Sequence, residues 1–180
     1  MLPENRESPK SKLWIFAAYR LIYKTKQFHF TLSELCTEAK LTKGAFYHYF
    51  QNMPEFHLRV LEYWYSKQIS DLSDVSRLNL SFERKLLKLI QLSEHTPQNP
   101  EMGMRSFAVQ SEKMEDILHH LDKYRVQFLV TWIEQSGHVG DMQKIKKIAS
   151  LLYSAMIGAK IINKNLKPSQ ICKFISEIRI

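Results

Sequence analysis

The sequence predicts an all-α fold. Only five glycines and six prolines occur in 180 residues, and apolar side chains recur at i, i+3 and i+4 almost throughout, the period of a helix rather than a strand. The breaks in that pattern coincide with residues that cap helices. The expected architecture is a small N-terminal three-helix head containing a helix-turn-helix, followed by a larger helical body.

The first helix is expected from about Pro9 to Lys26, with Leu13, Phe16, Ala17 and Leu21 along one side and Trp14, Ala18 and Ile22 beside them. A short second helix opens at Thr31, where "TLSE" supplies a Thr-x-x-Glu capping box, and is expected to bury Leu32, Leu35, Cys36 and Ala39. Thr42 is a good N-cap for a third helix with the body "KGAFYHYF". Asn52 can cap the next helix, and Pro54 suits its first turn. Longer helices follow over about 53–75, 82–94, 100–110, 112–135, 141–163 and 168–179. Their boundaries are marked by Ser81, by Asn99 with Pro100 and Glu101, by the glycines before Asp141, and by Pro168. The change in helix length near residue 50 divides the chain into a small head, 1–52, and a larger helical body, 53–180.

Lys and Arg outnumber Asp and Glu by 26 to 18 and the pI is near 9.4, an excess that favours polyanionic partners. Charge does not by itself locate a binding face, because the stretch 81–180 is also basic. The longest apolar runs are short, as in "LWIFAAY", so no segment reaches the roughly 20 residues of a membrane-spanning helix. The N-terminal segment has no signal-peptide pattern. Cys36 and Cys172 lie far apart without metal-like spacing, and each falls where a helix would bury it. That usage suits a reducing cytoplasm.

Most of the chemistry lies in residues 31–50. On a helix over 43–50, Phe46, Tyr49 and Phe50 share one side, leaving Lys43, Gly44, Tyr47 and His48 on the other. Two short helices joined by "AKLT" describe a helix-turn-helix, whose second helix enters the major groove with its N-terminal residues leading. Glycine inside a helix costs about 1 kcal/mol, so Gly44 points to something that must approach the backbone closely. Thr42 and the first-turn amides can hold a phosphate, Lys43 can reach a base or phosphate, and Tyr47 and His48 can donate to backbone oxygens. The bland alternative is an aromatic helix packed on both sides, with Lys43 merely solvated.

Residues 12–62 resemble the DNA-binding head of the TetR/AcrR family of bacterial transcription regulators. "WIFAAYRLIY" is similar to its first helix, "TLSELCTEAKLTKGAFYHYF" to its helix-turn-helix and "EFHLRVLEYW" to the start of its linking helix. The resemblance implies a ligand-responsive regulator, usually a repressor. In it, two heads of a homodimer read a palindrome in double-stranded DNA, and each body holds a small effector. By position, Thr42 would cap and touch phosphate, Lys43, Gly44 and Ala45 would lie nearest the bases, Tyr47 and His48 would grip the strand, and Thr31 would contact phosphate. The chain departs from the family at Lys40, where glycine usually makes the turn, and at Lys26 and Gln27, where glycine usually ends the first helix. At Met53 a common lysine is missing, which removes one phosphate contact.

In the body, Ala155, Gly158 and Ala159 give one flank of helix 141–163 small side chains. With Ile171, Phe174, Ile175 and Ile178 of the last helix they could build a four-helix dimer interface. Met102, Met104, Phe107, Met114, Tyr124, Phe128 and Trp132 could line a cavity for a mainly apolar effector, or could be ordinary core. A metal-dependent enzyme is the rival from another class, since Glu115 and His119 stand at i, i+4 beside Asp116 and Asp122. Two such ligands do not complete a site. No nucleotide-binding glycine loop or nucleophile elbow occurs, so neither an enzyme nor a cofactor is expected. A helical interaction module that has lost specific DNA binding is the third reading.

Overall fold

The computed structural model describes residues 8–94, 101–109, 111–137, 141–162 and 170. Among these residues it has eight helices and no strand. They are α1 (Pro9–Thr25), α2 (Leu32–Ala39), α3 (Lys43–Tyr47), α4 (Met53–Ser76), α5 (Phe82–Glu94), α6 (Glu101–Ala108), α7 (Glu112–Gln135) and α8 (Met142–Ile162). The helix expected over 168–179 lies outside the described residues, apart from Gln170.

The helix starts follow from local chemistry. Ser8 accepts the Ser11 amide at 3.1 Å ahead of Pro9, and Asn52 accepts the Glu55 amide at 2.8 Å. In the second case the Glu55 carboxylate reaches back to the Gln51 amide at 2.7 Å. Asp141 takes the Gln143 amide at 3.2 Å. The bonds from the Ser11, Glu55 and Gln143 amides satisfy first-turn donors that have no partner inside their own helices.

The ends of α1 and α2 share an unusual feature. Lys26 (φ 59°) and Lys40 (φ 56°) are both left-handed, and they are the only such non-glycine residues among those described. Both close their helices through the amide, Lys26 onto the Ile22 carbonyl and Lys40 onto those of Cys36 and Thr37. A Cβ crowds the following carbonyl in this conformation. Lys40→Gly is therefore expected to raise stability by about 1 kcal/mol, read as a higher urea midpoint at unchanged slope. Lys26→Gly should gain less, because it also removes an ammonium lying 3.7 Å from the centre of the Tyr23 ring.

The chain forms two compact units. One comprises 1–68 with 97–119, the other 69–96 with 120–180. In the first, the buried side of α1 is Trp14, Ile15, Ala17, Ala18 and Ile22, whereas Leu13 and Phe16 are exposed. Trp14 meets Phe46 edge-on at 5.4 Å, and Phe46, Phe50 and Phe56 pack at 4.8–5.4 Å. Leu35 is the fully buried residue of α2, with Leu32, Cys36 and Ala39 half-buried. α6 belongs to this unit because Gly103 lets it come close. A Cβ there would stand 2.5 Å from Ile22 Cγ2, and Phe107 lies 4.5 Å from Phe28.

The second unit has its own core. Leu72 and Val75 of α4, Phe82, Leu86 and Ile90 of α5, Leu129, Val130, Trp132 and Ile133 of α7, and Ile145, Ala149 and Leu152 of α8 are buried together. Arg125 donates to the Tyr153 hydroxyl at 3.1 Å, and that hydroxyl donates to Asp122, tying α7 to α8.

Candidate nucleic-acid interface

α3 turns its aromatic side inward. Phe46 is fully buried and Phe50 nearly so, with Tyr49 half-buried, while Thr42, Lys43, Gly44, Tyr47 and His48 are exposed and Ala45 is half-buried. Tyr47 is 59% exposed even though its ring meets Phe46 edge-on, so its hydroxyl end is free to reach a ligand. His48 rests against Tyr49 with centroids 4.8 Å apart. Thr42 Oγ1 accepts the Ala45 amide at 3.2 Å, which fixes the start of α3 and the direction of Lys43. The structure thus gathers six of the seven expected residues on α3 and its caps. Thr31, the seventh, caps α2.

At Thr31 the capping box is complete, and it uses the whole hydroxyl. Thr31 Oγ1 accepts the Glu34 amide at 3.2 Å and donates to the Glu34 carboxylate at 2.8 Å, while the Thr31 amide donates to the same oxygen at 2.7 Å. The Thr31 amide, and then its hydroxyl, hold the Glu34 carboxyl below its ordinary range. An anion approaching Thr31 would meet a carboxylate already in place.

A second carboxylate holds the helix-turn-helix against α1. Arg20 Nε and Lys24 Nζ each lie 2.6 Å from an oxygen of Glu38, and Arg20 also donates to the Glu38 carbonyl at 3.1 Å. Lys24 first, then Arg20, keeps the Glu38 carboxyl below its ordinary range. α2 has no basic residue in its last turn, so Arg20 supplies from α1 the positive charge that a helix C-terminus favours. Arg20 and Lys24 add to the positive charge of the head, yet Glu38 already pairs with both. The i, i+4 spacing of Arg20 and Lys24 was the available signal. Lys40 and Lys43 flank the α2–α3 turn and enter no ion pair among the described residues, so they are the cations best placed beside α3.

The residues expected to line an effector cavity are divided between the two units. In the first, Met104 and Met114 are buried, Phe107 stacks near Phe28 and His57, and Met102 is exposed. In the second, Trp132 is buried 6.1 Å from Phe128, and Tyr124 is half-exposed. Met102 and Tyr124 face solvent because the opposite faces of their helices carry the packing. Of the expected dimer residues, Ala155 is exposed, and Gly158 has open space where a Cβ would stand. Ala159 lies on α8, although its side chain is outside the described residues, as are Ile171, Phe174, Ile175 and Ile178. Glu115 and His119 are exposed, and among the described residues no three His, Cys, Asp or Glu side chains could hold a metal. No described helix is long and apolar enough to cross a membrane.

A small head with a helix-turn-helix, a long α4 and a helical body make up the fold of the TetR/AcrR transcriptional regulators, and this chain has that fold. It is similar to a TetR/AcrR-type regulator with a TM-score of 0.79 at 19% identity, over 93% of this chain and 97% of the other. It is also similar to the reduced form of E. coli NemR, with a TM-score of 0.74 at 19% identity over 94% and 96% of the two chains. A gamma-butyrolactone receptor gives 0.69 at 19% identity over 94% and 85%. No family model matches the sequence, and no curated protein is significantly similar to it.

Proposed function

We propose that the protein is a cytoplasmic DNA-binding transcriptional regulator, acting as a repressor. In this reading it binds a palindromic operator as a homodimer and releases it when a small effector occupies the body; it is not an enzyme. The observation that carries the reading is the two-sidedness of α3. Phe46 and Phe50 anchor it while Lys43, Gly44, Tyr47 and His48 face outward beside a turn bearing Lys40. Residues 1–52 would read DNA. Residues 53–180 would hold the effector and the partner subunit.

Dimerisation is supported by α8. Leu151 is 71% exposed, and Ser154, Ala155 and Gly158 follow on the same face at helical spacing, a surface on which two backbones could approach closely. Release follows from population shift, since an effector that prefers one spacing of the two heads weakens operator binding by its differential affinity.

Selection from a random DNA pool tests the reading directly, with an enriched inverted repeat as the expected result. Against that repeat, Lys43→Ala should lose about tenfold or more of the preference over random DNA, because a side chain at a base edge carries discrimination. Tyr47→Phe should weaken all sequences similarly, and affinity should fall steeply with salt. Equal affinity for every sequence would favour a head that has lost specific binding. The carboxylate of Glu34 against the Thr31 hydroxyl is the observation on that side.

A further inference from the structure

Lys85 is only 7% exposed, and lysine is almost never buried to that extent without a counter-charge. Its ammonium donates to the Ser76 carbonyl over a long 3.4 Å and sits 5.7 Å from the centre of the Trp132 ring. No carboxylate among the described residues pairs with it. Ser76 ends α4, so its carbonyl lies at the negative end of that helix and takes some of the charge. One long bond to a neutral acceptor does not offset the cost of removing an ammonium from water.

Two groups here keep hydrogens that the fold does not use. Trp132 Nε1 gives its hydrogen to Ser76 Oγ at 3.0 Å, which leaves the serine hydroxyl its own hydrogen to give. An ammonium carries three hydrogens, and one is engaged by the carbonyl. The Lys85 ammonium and the Ser76 hydroxyl therefore each keep hydrogen to give beside the Trp132 ring, where the acceptors are the two oxygens of Ser76. Immediately next to this cluster is the apolar core of the same unit, with Val75, Phe82, Leu86 and Ile133 buried.

We infer that the body binds an amphipathic organic anion, its acidic head group held by Lys85 and Ser76 beside Trp132 and its apolar part against the neighbouring core. This rests on the reading of the body as an effector-binding unit. It replaces an effector of unspecified apolar character with a carboxylate or sulfonate that bears a hydrophobic tail. The ammonium supplies the counter-charge and the serine a directed hydrogen bond, a pairing that distinguishes an acid from the alcohol of the same shape.

Fluorescence titration of the full-length protein with two dyes tests it. Anilinonaphthalene sulfonate carries the anion, and phenylnaphthylamine is its neutral counterpart. Lys85→Met should weaken the sulfonate by about tenfold or more, the scale of one charge-assisted contact, and leave the neutral dye unchanged. Sulfonate binding as in the unaltered protein, or an equal loss of both dyes, would overturn the inference. If Lys85→Met does not fold, the unaltered protein still decides. Decanoate should displace the sulfonate dye at about a tenth of the concentration that decanol needs, and equal displacement overturns the proposal. Neither titration contains DNA, so failure here leaves operator selection intact, and failure to select an operator leaves the acid preference intact.

Discussion

Phe46→Ala is expected to destabilise the protein by about 3–5 kcal/mol, the usual cost of deleting a buried phenylalanine, and to abolish sequence-specific DNA binding. Phe46 is fully buried and its ring touches Trp14 of α1, Phe50 of the turn after α3 and Phe56 of α4. α3 is a single five-residue helix, too short to form without tertiary support. The aromatic anchor therefore fixes both its existence and its orientation. Tyr47→Ala, one residue further on and 59% exposed, should change stability by no more than about 0.5 kcal/mol. Urea unfolding of the two variants provides the contrast. Equal midpoints for Phe46→Ala and the unaltered protein would mean that α3 is held by something other than its aromatic side.

What the sequence disclosed and what it hid divide along the range of the interactions. Helix starts were legible because capping is local: Thr31, Thr42, Asn52 and Asp141 each bond an amide two or three residues away. The two faces of α3 were legible for the same reason, since helical spacing alone separates Phe46 and Phe50 from Lys43 and Tyr47. The left-handed turns at Lys26 and Lys40 could be anticipated from the resemblance, as glycine usually fills both places. The exposure of Leu13 and Phe16 was not legible. α1 is apolar around much of its circumference, and only the tertiary packing that brings Phe46 of α3 onto Trp14 decides which stripe is covered.

Longer-range features needed the structure. Nothing near Gly103 announces that α6 packs on the end of α1, because the close approach, 2.5 Å between a notional Cβ and Ile22, is to a residue eighty-odd positions earlier in the chain. Lys85 did leave a trace. It stands at i+3 from Phe82 and i−4 from Leu89, on the apolar side of α5, a place where a solvated lysine does not belong. The same packing that puts α6 on the head surrounds a titratable group with phenylalanines, and that group makes the molecule sensitive to acid.

Stability is expected to fall by about 2–3 kcal/mol as pH is lowered from 6.5 to about 4, and His57 is the cause. Its ring centroid lies 5.1–6.2 Å from those of Phe28, Phe30, Phe56 and Phe107, and buried Nε2 has no hydrogen-bond partner. Burial first, then the neighbouring His29, lowers the pKa from 6.5 to about 4. The folded state therefore resists a proton that the unfolded chain accepts, so the neutral-form advantage is complete above pH 6.5 and lost as pH drops toward 4. Glu34 and Glu38, whose pKa values are lowered from 4.5, add to the loss only below that value. The window from 6.5 to 4.5 isolates the histidine. His57→Phe, which replaces an unpartnered polar ring by a fifth apolar one, should flatten the profile in that window and raise stability at pH 7 by about 1 kcal/mol. Parallel urea midpoints for the two proteins from pH 7 to 4.5 would show that the ring takes up its proton in the folded state as readily as in water.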